Sequence, residues 1–163
     1  MLIKLKNKEY LLYDEFKFRC AIGKNGLRIK KKEGDKSTPK GTFGLGTVYY
    51  RADRIKKPLT KLNVKKISKN MGWCDDPYNK NYNKQILINT KNKGEKLHRN
   101  DSIYDIIITV NYNTKKILPN KGSAIFIHLT KNYQPTLGCI SLKQNDLIIL
   151  LKLIDRKTKI RIS

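Results

Sequence analysis

Apolar and polar residues exchange places in short stretches over the first fifty positions, which predicts strands. Glu9–Tyr13 and Phe16–Ile22 are two such stretches, separated by Asp14-Glu15 and closed by Gly23-Lys24-Asn25-Gly26. A turn-rich run from Lys32 to Gly41 follows, and Thr42–Arg51 carries aromatic and β-branched residues with interspersed glycines, again strand-like. Residues 52–84 are rich in Lys, Asn, Asp and Pro and show no period. An irregular stretch of that length in a compact domain is usually functional or disordered. Gln85–Asn89 predicts another short strand. Within Ile103–Tyr112, the run Ile106-Ile107-Ile108-Thr109-Val110 predicts a buried one. Ala124–Leu129 and Thr158–Ile162 complete the strands. Helical spacing is clear over Gln144–Ile154, where Leu147, Leu150, Leu151 and Ile154 make one apolar face. Ser141, with Gln144 three residues on, resembles a capping box at its start. The pattern predicts a mostly β fold with one or a few helices, in a single domain spanning 1–163.

Composition adds charge to this picture. Lys and Arg total 36 against 13 Asp and Glu, a formal net charge of +23. Such a balance suits a polyanionic partner: nucleic acid, an anionic membrane surface or a carboxylate-bearing wall polymer. The cations are spread from Lys4 to Arg161, and Lys occurs with much Asn and Ile, a bias that an AT-rich coding sequence produces by itself. No helix-turn-helix, RNP, zinc or oligonucleotide-fold signature accompanies them, so no specific nucleic-acid partner is expected. A basic nucleic-acid-binding domain is nevertheless the alternative reading from a different functional class. The cysteines are Cys20, Cys74 and Cys139, an odd count with no short paired spacing. That argues against a disulfide framework or a zinc ligand set, and neither metal nor cofactor is expected. No run approaches the roughly 18 apolar residues of a membrane span. Met1 to Asn7 shows no signal-peptide pattern.

Candidate chemistry concentrates between residues 122 and 142. In a strand, alternate residues share a face. His128 therefore shares one with Ala124 and Phe126, and Ile125, Ile127 and Leu129 occupy the other. Cys139 lies two positions before the expected cap Ser141, which places it at the mouth of a helix N-terminus, where a thiolate is favoured. A neighbouring imidazole would accept the thiol proton. Gly138 permits a tight turn that exposes the sulfur. The N–H groups of Gly138 and Cys139 are candidates for an oxyanion hole, with the Thr136 hydroxyl in the same pocket. The imidazole needs an orienting acceptor on its other nitrogen, expected from a backbone carbonyl in the loop after Leu129, and Leu129 counts with Gly138 and Thr136 among the backbone support of the site. A single Cys is commonly a small buried hydrophobe, and a single His on a strand is commonly a hydrogen-bonded structural residue.

The segment from His128 through Thr136-Leu137-Gly138-Cys139-Ile140 resembles the signature of the YkuD-type L,D-transpeptidases: a strand-terminal His, a loop, then Ser/Thr-x-Gly-Cys-hydrophobic. The resemblance extends, within a compact subgroup lacking extra domains, to Lys32-Glu33-Gly34-Asp35, Thr38-Pro39-Lys40-Gly41-Thr42-Phe43 and Tyr50-Arg51-Ala52-Asp53-Arg54. It continues at Gly72-Trp73-Cys74-Asp75-Asp76-Pro77, Tyr82-Asn83, Tyr104-Asp105 and Gly122-Ser123-Ala124-Ile125-Phe126. It implies a β-sandwich-like catalytic fold, Cys139 as nucleophile and His128 as base. It also implies a peptidoglycan stem peptide as acyl donor, a thioester intermediate, and an amine of a second stem as acceptor. A monomer acting in the periplasm or cell wall follows from that function, with a cytoplasmic protein as the alternative given the N-terminus. A carboxypeptidase or endopeptidase using the same Cys–His pair, with water as acceptor, is an alternative in the same chemistry. Three departures stand out. Leu137 occupies a position where many members carry His, Ser141 one where many carry Arg or Asn, and His128 and Cys139 are only eleven positions apart.

Further residues are candidates for substrate binding. Trp73, Asp75 and Asp76 form an expected rim, with Trp73 stacking on sugar or peptide and the acids recognising an amine. An Asx turn before Pro77 is the plain alternative. Tyr82, Asn83 and Ser123 belong to the same set through the resemblance, as does Ser141. Arg51, Arg54 and Arg99 stand out in a chain that prefers Lys. They suit either substrate carboxylates or local ion pairs such as Arg99 with Asp101 and Arg54 with Asp53. His98 reads as solvent-exposed, and Cys20 and Cys74 read as packed thiols.

Overall fold

A computed structural model describes residues 1–29 and 31–163 of the chain. The N-terminal half opens with β1 (Leu2–Lys6), β2 (Tyr10–Tyr13) and β3 (Phe16–Ala21), an antiparallel meander in which Leu5 faces Leu11 and Leu11 faces Phe18. A parallel pair of two-residue strands follows, β4 (Leu27–Arg28) and β5 (Thr38–Pro39), and then the long β6 (Gly41–Tyr50). The stretch expected to be irregular contains two three-residue strands, β7 (Val64–Lys66) and β8 (Met71–Trp73). β8 pairs with both β9 (Gln85–Leu87) and β10 (Glu95–Lys96) in a separate small sheet. The rest comprises β11 (Ile106–Val110), β12 (Phe126–Leu129), β13 (Ile140–Leu142), α1 (Gln144–Leu153) and β14 (Lys159–Ile162).

The fold is mostly β with one helix, as the pattern predicts. Its main sheet runs β11-β12-β13-β3-β2-β1-β14-β6-β7, and a further β6–β11 pairing closes the first eight of these strands into a mixed barrel, with β7 added in parallel along the second half of β6. Closure depends on β6, whose first half pairs with β14 and whose second half pairs with β11. The sandwich-like packing implied by the resemblance is realised as a sheet that curls back on itself. Closure leaves the barrel with no free edges along that ring.

Two apolar clusters flank the β11–β12 pair. One combines Leu147, Leu150, Leu151 and Ile154 of the helical segment with inward residues of the strands, including Ile125, Ile127 and Leu129. Burying each such side chain contributes about 1.5–3 kcal/mol. The other joins Ile107 and Phe126 to Trp73, Leu97, Tyr104 and Cys139. The alternation expected along β12 is therefore realised, and His128 stands on the side of the second cluster, edge-on to the Tyr104 ring at 5.2 Å between centroids.

The start of the helix differs from expectation. Its N-cap is Lys143, with no side-chain capping bond, and Ser141 lies within β13. The reason is the ladder: Ile127, His128 and Leu129 pair in parallel with Ile140, Ser141 and Leu142, which keeps the backbone extended through Leu142. Cys139 therefore enters a strand and does not sit at a helix mouth. β12 likewise begins at Phe126, two residues later than predicted, because Ala124 adopts φ 53°.

Candidate active site

The parallel β12–β13 register sets His128 beside Ser141. One step earlier, the Phe126 N–H points at the Cys139 sulfur at 3.4 Å, and the thiol donates to the Ala124 carbonyl at 3.2 Å. His128 and Cys139 consequently occupy one face, as diagonal neighbours on adjacent strands. The His128 Nδ1 lies 2.8 Å from the Leu129 carbonyl. A carbonyl only accepts, so Nδ1 carries the proton and Nε2 keeps its lone pair. The acceptor is thus the carbonyl of Leu129 itself, the last residue of β12, one step before the loop in which it was expected.

Both residues line one cavity of about 550 Å³. Its wall carries Lys31, Glu33, Asp75, Glu95 and Arg99. Tyr hydroxyls hold two of the acids: Tyr82 donates to Glu33 and Tyr104 to Glu95. Burial pushes the Cys139 thiol up to about 12, and Glu95 adds to the rise, against opposing effects of the Phe126 N–H and Lys31. Burial also lowers His128 to about 4, with the Leu129 carbonyl acting in the opposite sense. Near neutral pH the pair is thus a neutral thiol and a neutral imidazole, where a helix N-terminus had been expected to favour a thiolate. Glu95 is raised by burial and by neighbouring Asp75, and lowered by the Tyr104 hydroxyl.

Thr136 braces the approach to Cys139. Its hydroxyl donates to the Cys139 carbonyl at 2.6 Å and accepts the Gly138 N–H at 3.1 Å. The Gly138 N–H expected in an oxyanion hole is therefore already engaged.

A model of the YkuD family, described as the L,D-transpeptidase catalytic domain, matches residues 2–162. The chain belongs to this family. Neither a curated protein nor a solved structure matches it. YkuD domains are in general cysteine-dependent L,D-transpeptidases, with peptidoglycan as substrate and the cell wall as place of action. No helix among the described residues is long and apolar enough to cross a membrane.

Of the residues expected at the site, Leu129, Thr136, Gly138, Asp75, Arg99, Ser123 and Ser141 reach the cavity wall. The hydroxyls of Ser123 and Ser141 are buried there with no hydrogen-bond partner among the described residues. The others lie elsewhere. Trp73 is buried and gives its indole N–H to Asn83, with its ring edge-on to Phe126 at 5.1 Å, so it supports the site from within and presents no stacking rim. Asn83 also accepts the Ala124 N–H and donates to the carbonyls of Tyr112 and Asn113, thereby holding the Ala124 turn. Tyr82 accepts the Gly122 N–H. Asp76 accepts the Tyr78 N–H in the Asx turn that was the plain alternative.

The arginines resolve towards ion pairs. Arg51 is buried and bidentate on Asp53, Arg54 pairs with Asp105 instead of Asp53, and Arg99 is bidentate on Asp101. His98 is half-buried, not exposed, and Cys20 and Cys74 are buried as expected. The sequence reading missed Lys31 and Glu95 and gave Glu33 and Tyr104 no role. Glu33 and Tyr104 stood within quoted motifs. Lys31 is the middle one of three consecutive lysines, and nothing local distinguishes it.

Proposed function

We propose that this domain forms cross-links between peptidoglycan stem peptides through a thioester on Cys139, with His128 as general base. The observation that carries the reading is the His128 tautomer. Nδ1–H is tied to the Leu129 carbonyl, which leaves Nε2 as a base in the cavity that holds the Cys139 sulfur. Nε2 takes the thiol proton as sulfur attacks the donor acyl carbon. The C–N bond to the leaving D-amino acid breaks, its amine receives the proton from His128, and a thioester remains. The acceptor amine then attacks the thioester. An amide forms, the amine's proton passes to His128 and returns to the departing sulfur, and the thiol is restored. Because the resting pair is neutral, proton transfer accompanies attack and no preformed ion pair is needed.

The acidic wall supports an amine acceptor. Glu33, Asp75 and Glu95 offer negative charge that draws in an ammonium group in a chain that is otherwise strongly basic, and the group loses one proton to solvent before it attacks as the free amine. Leu137 is exposed on the same wall, and with Ser141 it gives the cavity an apolar and hydroxyl lining where many members carry His and Arg or Asn. We place the activity in the periplasm or cell wall and expect a monomer.

The test is incubation with purified tetrapeptide muropeptides, with products resolved by mass spectrometry, alongside Cys139→Ala. Cross-linked dimers from wild type and none from Cys139→Ala are expected. A tripeptide alone, released by water, would assign the carboxypeptidase alternative. Turnover that survives in Cys139→Ala would overturn the reading altogether.

A further inference from the structure

Lys31 is the strongest feature of the cavity that the proposed mechanism does not use. It is 3% exposed, in a protein whose other lysines largely project into solvent. Its ammonium donates to the Asp35 carboxylate at 2.6 Å and to the Ser37 carbonyl at 2.7 Å. An ammonium has three hydrogens, and those are its two hydrogen-bond partners among the described residues. The same side chain lines the cavity with Cys139.

Two glycines make room for it. At Gly138 (φ 136°) a Cβ would come within 2.8 Å of the Ser37 carbonyl oxygen and 3.5 Å of Lys31 Nζ. At Gly122 (φ 97°) a Cβ would meet Lys31 Cε at 2.8 Å. The lysine stem thus threads between the two loops that hold the thiol, one leading to Ala124, whose carbonyl accepts the S–H, and the other into Cys139. A charge fixed there, away from water, acts over several ångströms with little screening. The Gly138 N–H is taken by Thr136, so this side of the sulfur needs another source of positive potential.

We infer that Lys31 is a positioning residue of the reaction: its ammonium, lodged behind Gly138, supplies the fixed positive charge against which the Cys139 thiolate and the anionic tetrahedral intermediates form. The inference rests on the proposed role of Cys139. Asp35 keeps the ammonium in place and partly offsets its charge. Burial pushes the Asp35 carboxyl up, but hydrogen bonds from Lys31, Lys32 and Ser37 outweigh this and hold it well below the usual carboxylate range. Glu95 acts on the sulfur with the opposite sign, so within a shift that burial dominates, Lys31 and Glu95 pull against each other.

The test is the rate of Cys139 alkylation by iodoacetamide, a neutral reagent, as a function of pH. Peptide-level mass spectrometry separates Cys139 from Cys20 and Cys74. Lys31→Met is expected to move the profile to higher pH by about one unit, a rate about tenfold lower at fixed pH on the rising limb. Asp35→Asn, which removes the counter-charge and keeps the ammonium, is expected to move it to lower pH. Lys31→Arg is expected to stay close to wild type. A simple clamp would lower stability in both Lys31→Met and Asp35→Asn and shift neither profile, or shift both the same way; either result overturns the inference. If Lys31→Met fails to fold, as judged by its circular dichroism melt, Asp35→Asn decides alone, and the absence of a downward shift overturns it. Shifted profiles in a protein that makes no muropeptide product would refute the proposed reaction and leave the electrostatic role of Lys31 standing.

Discussion

Acidification is expected to destabilise the domain through His128. The imidazole is 7% exposed, and burial lowers its pKa from 6.5 to about 4. The unfolded chain therefore takes up a proton at a pH where the folded chain does not. With a depressed folded value, the stabilisation is fully present above about 6.5 and is lost as pH falls from there towards about 4, below which no more is lost. Linkage over that interval amounts to about 3 kcal/mol, of which about 2 kcal/mol falls between pH 7 and pH 5. For a chain of this length, 2 kcal/mol corresponds to a fall in Tm of about 4–8 °C. Other groups titrate in the same range, so the measurement is a comparison. Urea denaturation of wild type and of His128→Phe at pH 7 and pH 5 isolates the difference. Wild type should lose about 2 kcal/mol more than the variant. Equal losses would show that His128 is not held neutral by burial. The same reasoning predicts that the acid limb of kcat/KM, which reports the free enzyme, lies near pH 4 and not at the ordinary histidine value.

Asn83→Ala removes the amide that ties Trp73, Ala124, Tyr112 and Asn113 together and should cost about 3 kcal/mol or more in chemical denaturation, with a parallel loss of acylation because the Ala124 carbonyl accepts the hydrogen bond that orients the thiol. Thr136→Val leaves the Gly138 N–H and the Cys139 carbonyl without their hydroxyl, and should lower muropeptide turnover about tenfold, whereas Thr136→Ser should retain most of it. Fluorescence anisotropy should show binding to DNA and to sacculi that weakens steeply with salt, as expected for the dispersed +23 charge. Tight, sequence-selective DNA binding at physiological salt would instead favour the nucleic-acid reading.

What the sequence determined by itself was local. The two-residue period along β12 placed Ile125, Ile127 and Leu129 in one cluster and left His128 on the opposite face, because side-chain direction in a strand follows from backbone geometry alone. The helical spacing of Leu147, Leu150, Leu151 and Ile154 marked a buried helical segment for the same kind of reason. The ordered motifs of the family were also visible, as short strings at fixed positions. Pairings between distant segments were decided only by the tertiary structure. The parallel match of Leu2 with Lys159 and the return of β6 to β11 close the barrel, yet neither leaves a local trace. The β12–β13 ladder kept Ser141 extended and overrode its cap-like spacing from Gln144, since several ladder pairs outweigh one capping bond. Trp73 and Lys31 show the same limit at the site. Indole and ammonium both favour water or a rim when judged singly, and only their hydrogen bonds, to Asn83 for the indole and to the nearby Asp35 and Ser37 for the ammonium, make their burial tolerable.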